Sequence, residues 1–327
     1  MSKRDLVFRV LDQKPAERVP VGFWFHFAEP DRLLDYSPET IEANRSGHLR
    51  FIREFEPDIL KIMTDGFFIY PNETLEALTA PADLDRVEAT HPTKWIDDQV
   101  ALARELVEVY GREAAIFFNI FSPSTHIMFQ SRVWKKPLLT QETLLRKNPE
   151  GYAHALGEIA KDLGELIRRV IGEAGVDGIY LSVRSVANIP AADYARYIAP
   201  SELALLSAAN ALSDYNLLHI CGYAGYRNDL SSFRDYPVKA VNWAVTAENV
   251  SLLEGRRLFP GKALIGGFEN TKAGVLYRGS REEIEAETDR LLRSAGSTGV
   301  ILGADCTVPS DIPLSHLEWV RQRAAAG

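Results

Sequence analysis

Three residues carry the most specific chemistry in this sequence. The stretch LLHICGYAG, residues 217–225, sets His219 and Cys221 two positions apart at the end of an apolar run. GADCTVP, residues 303–309, ends another apolar run on Cys306, the second of only two cysteines in the chain. Side chains alternate along a strand, so His219 and Cys221 share a face with Cα atoms roughly 6.5 Å apart. An imidazole and a thiolate so placed can converge on one ion. A further thiolate at another strand end completes a nitrogen–sulfur set of the kind Zn²⁺ takes at tetrahedral angles. Three protein ligands with the fourth position open mark a catalytic site rather than a structural one. The competing reading is packing, because cysteine is among the most buried residue types. Two cysteines in 327 residues do not make a disulfide framework.

Eight β-rich apolar runs supply the elements that must position these groups. They span 18–25, 57–65, 114–121, 175–183, 215–222, 237–245, 262–269 and 299–306. Near-continuous apolar runs are what strands buried on both faces look like. Between them, 95–111, 152–175 and 280–296 carry apolar residues at helical spacing, and Ser280 with Glu283 forms a capping-box pattern. Alternating strands and helices predict a parallel sheet, and eight strands predict a (β/α)₈ TIM barrel, an α/β fold occupying 1–327 as a single domain. No strand runs into G-x-G-x-x-G or a Walker loop, so a nucleotide-binding open sheet lacks its signature. The longest insertions fall at 66–94 and 122–151.

Active sites in such barrels lie at the C-terminal strand ends. Those ends read His26, Asp65, Asn119 with Ser122, Arg184, His219 with Cys221, Asn242 with Trp243, Glu269, and Asp305 with Cys306. Arg184 suits a substrate carboxylate or sulfonate, because its fork binds two oxygens, or else pairs with a loop carboxylate. Asp65 either orients a substrate or a base, or ends its strand as a turn residue. His26 and His126 are candidate proton shuttles, with loop or core packing as the alternative. Tyr223 and Trp243 are expected to form pocket walls.

The ordered motifs KPAERVPV (14–21), ILKIMTD, LLHICG, VKAVNWAV, ALIGGFEN and GADCTVPSDIPLSHLEWV (303–320) make the chain resemble the uroporphyrinogen decarboxylase superfamily. The resemblance runs along most of the chain. It implies two branches: cofactor-free decarboxylases, and zinc enzymes that activate a thiol for alkylation by a methylcobamide, of the coenzyme M methyltransferase type. The zinc branch's His-x-Cys…Cys ligands match His219, Cys221 and Cys306 one for one. The decarboxylase branch implies an arginine-rich motif after the first strand, where this chain reads HFAEPDRLLDY (26–36). There Glu29 and Asp31 would repel a polycarboxylate. Asp65 falls where that branch has its pyrrole-binding aspartate. Glu269, in GGFEN, is either a fourth zinc ligand, an acceptor for the outer nitrogen of His219, or a helix cap. Asn242 stands near the position of a zinc-binding glutamate in cobalamin-independent methionine synthase and is no equivalent of it.

The expected activity is therefore zinc-dependent methyl transfer to a small thiol. A cofactor-free carboxy-lyase and a non-catalytic metal- or partner-binding barrel are the alternatives. No D-x-H-x-x-G corrinoid signature occurs, so a methylcobamide would arrive on a separate corrinoid protein. The formal charge of −8 argues against nucleic acid or an anionic membrane as partner. No apolar run approaches the ~20 residues of a membrane span, and the charged N-terminus lacks a signal-peptide core, so a cytoplasmic location is expected.

Overall fold

Each of the eight apolar runs becomes a strand. They are β1 (Val21–Gly22), β2 (Ile59–Ile62), β3 (Ala115–Phe121), β4 (Gly178–Val183), β5 (Leu217–Ile220), β6 (Ala240–Trp243), β7 (Ala263–Phe268) and β8 (Val300–Ala304). The computed structural model describes residues 1–133, 140–184, 189–222 and 227–326. All ladders are parallel, in the order β1-β8-β7-β6-β5-β4-β3-β2. β1 and β2 share no ladder among the described residues, and a buried carboxylate closes that seam. Asp58, just ahead of β2, accepts from Val21 N at 2.9 Å and from the Arg18 guanidinium at 2.6 and 2.7 Å. Gly22 allows the close approach, since a Cβ there would lie 2.6 Å from Ile59 Cγ2. The result is a nearly closed TIM barrel forming a single α/β domain.

The expected helices form at Thr93–Tyr110, Pro149–Gly172 and Arg281–Ala295. The capping box is present: Ser280 accepts from Glu283 N at 3.3 Å, and Glu283 accepts from Ser280 N at 2.8 Å. The 66–94 insertion folds into a short helix at Glu73–Glu76 and a 3₁₀ turn at Pro81–Arg86. The 122–151 insertion contributes the helices Pro123–Val133 and Gln141–Lys147. Among the described residues no helix is long and apolar enough to cross a membrane.

Alternation along the strands sorts side chains between two cores. Leu60, Ile116, Leu181, Leu218, Val241 and Leu264 face outward to the helices. Ile59, Ala115, Phe117, Leu217, Ala240 and Ile301 fill the barrel. The helix Lys3–Leu11 seats Val7, Val10 and Leu11 on that inner cluster, and Arg4 pairs with Asp177 at 2.5 Å. It plugs the N-terminal end, leaving the C-terminal end for chemistry.

Candidate metal centre

One layer further up each strand, the inner face turns polar. Lys61 of β2, Asn119 of β3, Ser182 of β4, His219 of β5 and Asn242 of β6 follow the inward apolar residues two positions earlier on their strands. Register places His219 beside Ser182 on one side and Asn242 on the other. Ser182 donates to Asn119 Oδ1 at 2.7 Å, knitting the layer together.

Asn242 determines what His219 can do. Its Nδ2 donates to Ile265 O at 2.9 Å and Ala304 O at 3.3 Å, so its Oδ1 must accept from His219 Nδ1. Nδ1 therefore carries the imidazole proton, and Nε2 is left as a lone-pair donor. Gly266 keeps that amide in place: its φ of +134° suits glycine, and a Cβ there would crowd Asn242 Nδ2 at 3.2 Å.

Cys306 Sγ lies 3.5 Å from His219 Nε2. The ligand atoms of His219, Cys221 and Cys306 all lie within 4.8 Å of one another. A thiol held by a hydrogen bond from Cys221, with His219 and Lys61 also contributing, sits well below its usual range at Cys306. The same hydrogen bond, together with burial, pushes Cys221 well above that range. The pair thus favours one shared negative charge. Asp305 secures the end of β8, accepting from Val245 N and Thr246 N at 2.9 Å each. Burial raises its carboxyl to about 6 against the pull of those bonds. An imidazole nitrogen and two sulfurs within 4.8 Å of one another are a donor set that would fit a tetrahedral zinc ion, whose fourth position would take an exogenous ligand.

The triad opens onto a cavity of about 180 Å³, below the ~300 Å³ lower end of drug-sized pockets. Phe68, Phe121 and Phe129 pack edge-on and stacked as its apolar wall. His26, Lys61 and Arg184 also line it. A wider groove of about 660 Å³ beside Lys239 and Lys262 is open to solvent and lies ahead of β6 and β7, away from the triad.

His26 and Asp65, expected separately, form one unit. His26 Nδ1 meets Asp65 Oδ1 at 2.7 Å, while Asp65 Oδ2 accepts from Phe27 N at 2.7 Å and Ala28 N at 3.2 Å. Asp65 is fully buried, and His26 is the half-buried member that lines the cavity. Arg184 reaches the cavity with Nη1 3.0 Å from Met128 Sδ. His126 is buried behind the site, bonded to Phe68 O at 2.9 Å, and burial lowers it to about 4. That environment is the packed alternative rather than a shuttle.

Two expectations need correction. Trp243 is not a pocket wall: it follows the inward Asn242 by one residue, so strand alternation turns it outward. There it packs on Phe259, and its Nε1 donates to Val250 O at 2.9 Å. Glu269 is not grouped with the triad; its carboxylate accepts from the Thr271 hydroxyl, and the outer nitrogen of His219 is taken by Asn242. Tyr223 lies outside the described residues. Lys61 and the role of Asn242 were missed. Inward parity, counted back from His219 once register is known, would have found both.

The site and fold can be set against known proteins. The family described as Uroporphyrinogen decarboxylase (URO-D) matches residues 71–326. No curated protein matches the chain. A methyltransferase from Methanosarcina mazei is similar in structure, with a TM-score of 0.73 at 16% identity over 100% of this chain and 99% of its own. The B12-independent methionine synthase from Shewanella sp. W3-18-1, in complex with selenomethionine, gives a TM-score of 0.58 at 13% identity, covering 94% and 97%. The β-mannanase from the blue mussel Mytilus edulis gives 0.51 at 11% identity, covering 94% and 91%. Likeness at these identities speaks for the fold, which hosts unrelated chemistries. The family match spans most of the barrel, including every member of the triad: the chain belongs to the uroporphyrinogen decarboxylase (URO-D) family.

Proposed function

We propose that this protein is a zinc-dependent methyltransferase that alkylates a small thiol, taking the methyl group from a methylcobamide carried by a separate corrinoid protein. The observation that carries the reading is the convergence of His219, Cys221 and Cys306 within 4.8 Å at the cavity floor. Two structural neighbours named for methyl transfer or methionine synthesis are consistent with it. Zinc held there supplies one thing, a bound sulfur kept as thiolate at neutral pH. The chain's own residues do the rest. Asn242 fixes the His219 tautomer. The His26–Asp65 pair presents an imidazole at the cavity to accept the thiol's proton. Arg184 and the phenylalanine wall orient the thiol's anionic and apolar parts, and exclude water. The reading implies a reducing, cytoplasmic setting in which both cysteines stay free.

The decarboxylase alternative within the same family fits less well. Asp65 is fully buried, its oxygens meet His26 Nδ1, Phe27 N and Ala28 N, and it does not line the cavity where a pyrrole would have to be gripped. Elemental analysis tests the proposal: about one zinc per chain is expected, lost in Cys221→Ser and Cys306→Ser. A panel of small thiols with methylcobalamin should then give S-methyl products. Full turnover by metal-free protein would refute it, and zinc that never admits an added thiol would leave a binder instead.

A further inference from the structure

Lys61 is the least explained residue in the molecule. It sits on the inner face of β2 at 4% exposure and lines the same cavity as the triad. Among the described residues no carboxylate lies within 4.0 Å of its Nζ. Its near neighbours are the Tyr180 ring, centroid at 4.3 Å, the Trp24 ring at 5.0 Å, and Ser182 Oγ at 3.5 Å. Both rings also lie 6.4 Å from the His219 ring. Aromatic faces attract an ammonium but do not neutralise it. Burying an unpaired lysine is costly, and a methionine would fill the space without that cost. The Nε1 of Trp24, which also lines the cavity, lacks a hydrogen-bond partner among the described residues. A buried cation and an orphaned donor thus line the same cavity as an imidazole and two sulfurs.

We propose that the Lys61 ammonium is the built-in countercharge for anionic sulfur at the His219–Cys221–Cys306 site, a positioning residue for negative charge. The proposal deepens the thiol-alkylation reading. Zinc with two cysteinates is neutral, so a bound substrate thiolate adds one uncompensated negative charge in a buried cavity. Lys61 cancels it and makes the thiolate, rather than the thiol, the form that binds. Burial lowers its ammonium to about 8, and Cys306 and Cys221 act the other way, holding the proton on as nearby negative charge does.

The test compares wild type with Lys61→Met, Lys61→Gln and Lys61→Arg. Metal-free protein at pH 7 is treated with iodoacetamide, a neutral probe that reads thiolate. Zinc-loaded protein is titrated with 2-mercaptoethanol by calorimetry. Loss of the charge should slow alkylation and weaken thiol binding by ~10-fold or more, while Lys61→Arg recovers part of both. Melting temperature should hold or rise in Lys61→Met. Folded Lys61→Met and Lys61→Gln proteins that alkylate and bind like wild type would overturn the proposal. Wild type that takes up no zinc sinks the proposed function alone, because the alkylation comparison needs no metal.

Discussion

The lower and upper layers of the barrel interior are built from the same strands two residues apart, yet they differ in kind. Below, Ala115, Phe117, Leu217, Ala240 and Ile301 pack with the N-terminal helix, and the polar atoms of that cluster, Trp24 Nε1 and the Tyr180 hydroxyl, have no partner among the described residues. Above, Lys61, Asn119, Ser182, His219 and Asn242 occupy the next inward positions and end at the two cysteines. Most of the lower layer is apolar volume that holds the barrel's shape, with the Trp24 and Tyr180 rings joining it to the layer above. The upper layer is a polar network in which each member limits its neighbour's protonation or orientation. The barrel spends its stability on the first and its specificity on the second.

Mutations can break this contrast if it is wrong. The largest effect is expected from Phe117→Ala in the lower layer, at about 3–5 kcal/mol of lost stability. Denaturant unfolding measures it, and zinc stoichiometry of the folded fraction should stay unchanged. If zinc is lost with the fold intact, the layers are not separable.

Glu202 sharpens the comparison from outside the barrel. It is a buried ionisable group held by two strong donors, where Lys61 has a long bond to Ser182 and no carboxylate among the described residues: Tyr194 and Tyr236 donate to the Glu202 carboxylate at 2.6–2.9 Å. Burial nevertheless pushes its carboxyl from 4.5 up to about 7. The folded state therefore holds the proton more tightly than the unfolded chain. Its contribution is full below pH 4.5 and fades as pH rises through 7, by roughly 3 kcal/mol at most. Glu202→Gln should remove that slope between pH 4.5 and 7 in unfolding curves, without changing thiol binding. An unchanged slope would show that the phenols already absorb the charge.

Asn242→Ala tests the upper layer more gently. Without its acceptor the His219 tautomer is unfixed, and zinc affinity should fall ~10–100-fold by chelator competition. An unaltered affinity would mean that Cys221 and Cys306 dominate the site. The smallest effect belongs to Trp243→Phe, one residue away on the opposite face. Loss of its bond to Val250 O should cost about 1 kcal/mol of stability and leave the KM for thiol unchanged.

Much of this was legible from residue order alone. Eight apolar runs and their intervening helical patterns lead to the barrel, because strands buried on both faces leave a continuous hydrophobic record. The ends of those runs lead to His219, Cys221 and Cys306, because spacing by two on a strand means a shared face. Tertiary structure alone decided the partners. Whether His219 meets Glu269 or Asn242 depends on register between β5 and β6, which no local pattern encodes. The outward turn of Trp243 is hidden in the sequence for the same reason, its direction being set by a parity that only a known inward neighbour reveals. Lys61 is a single lysine within ILKIMTD, and only barrel closure set its ammonium in the cavity that the cysteines also line, since contacts across a barrel join strands far apart in sequence.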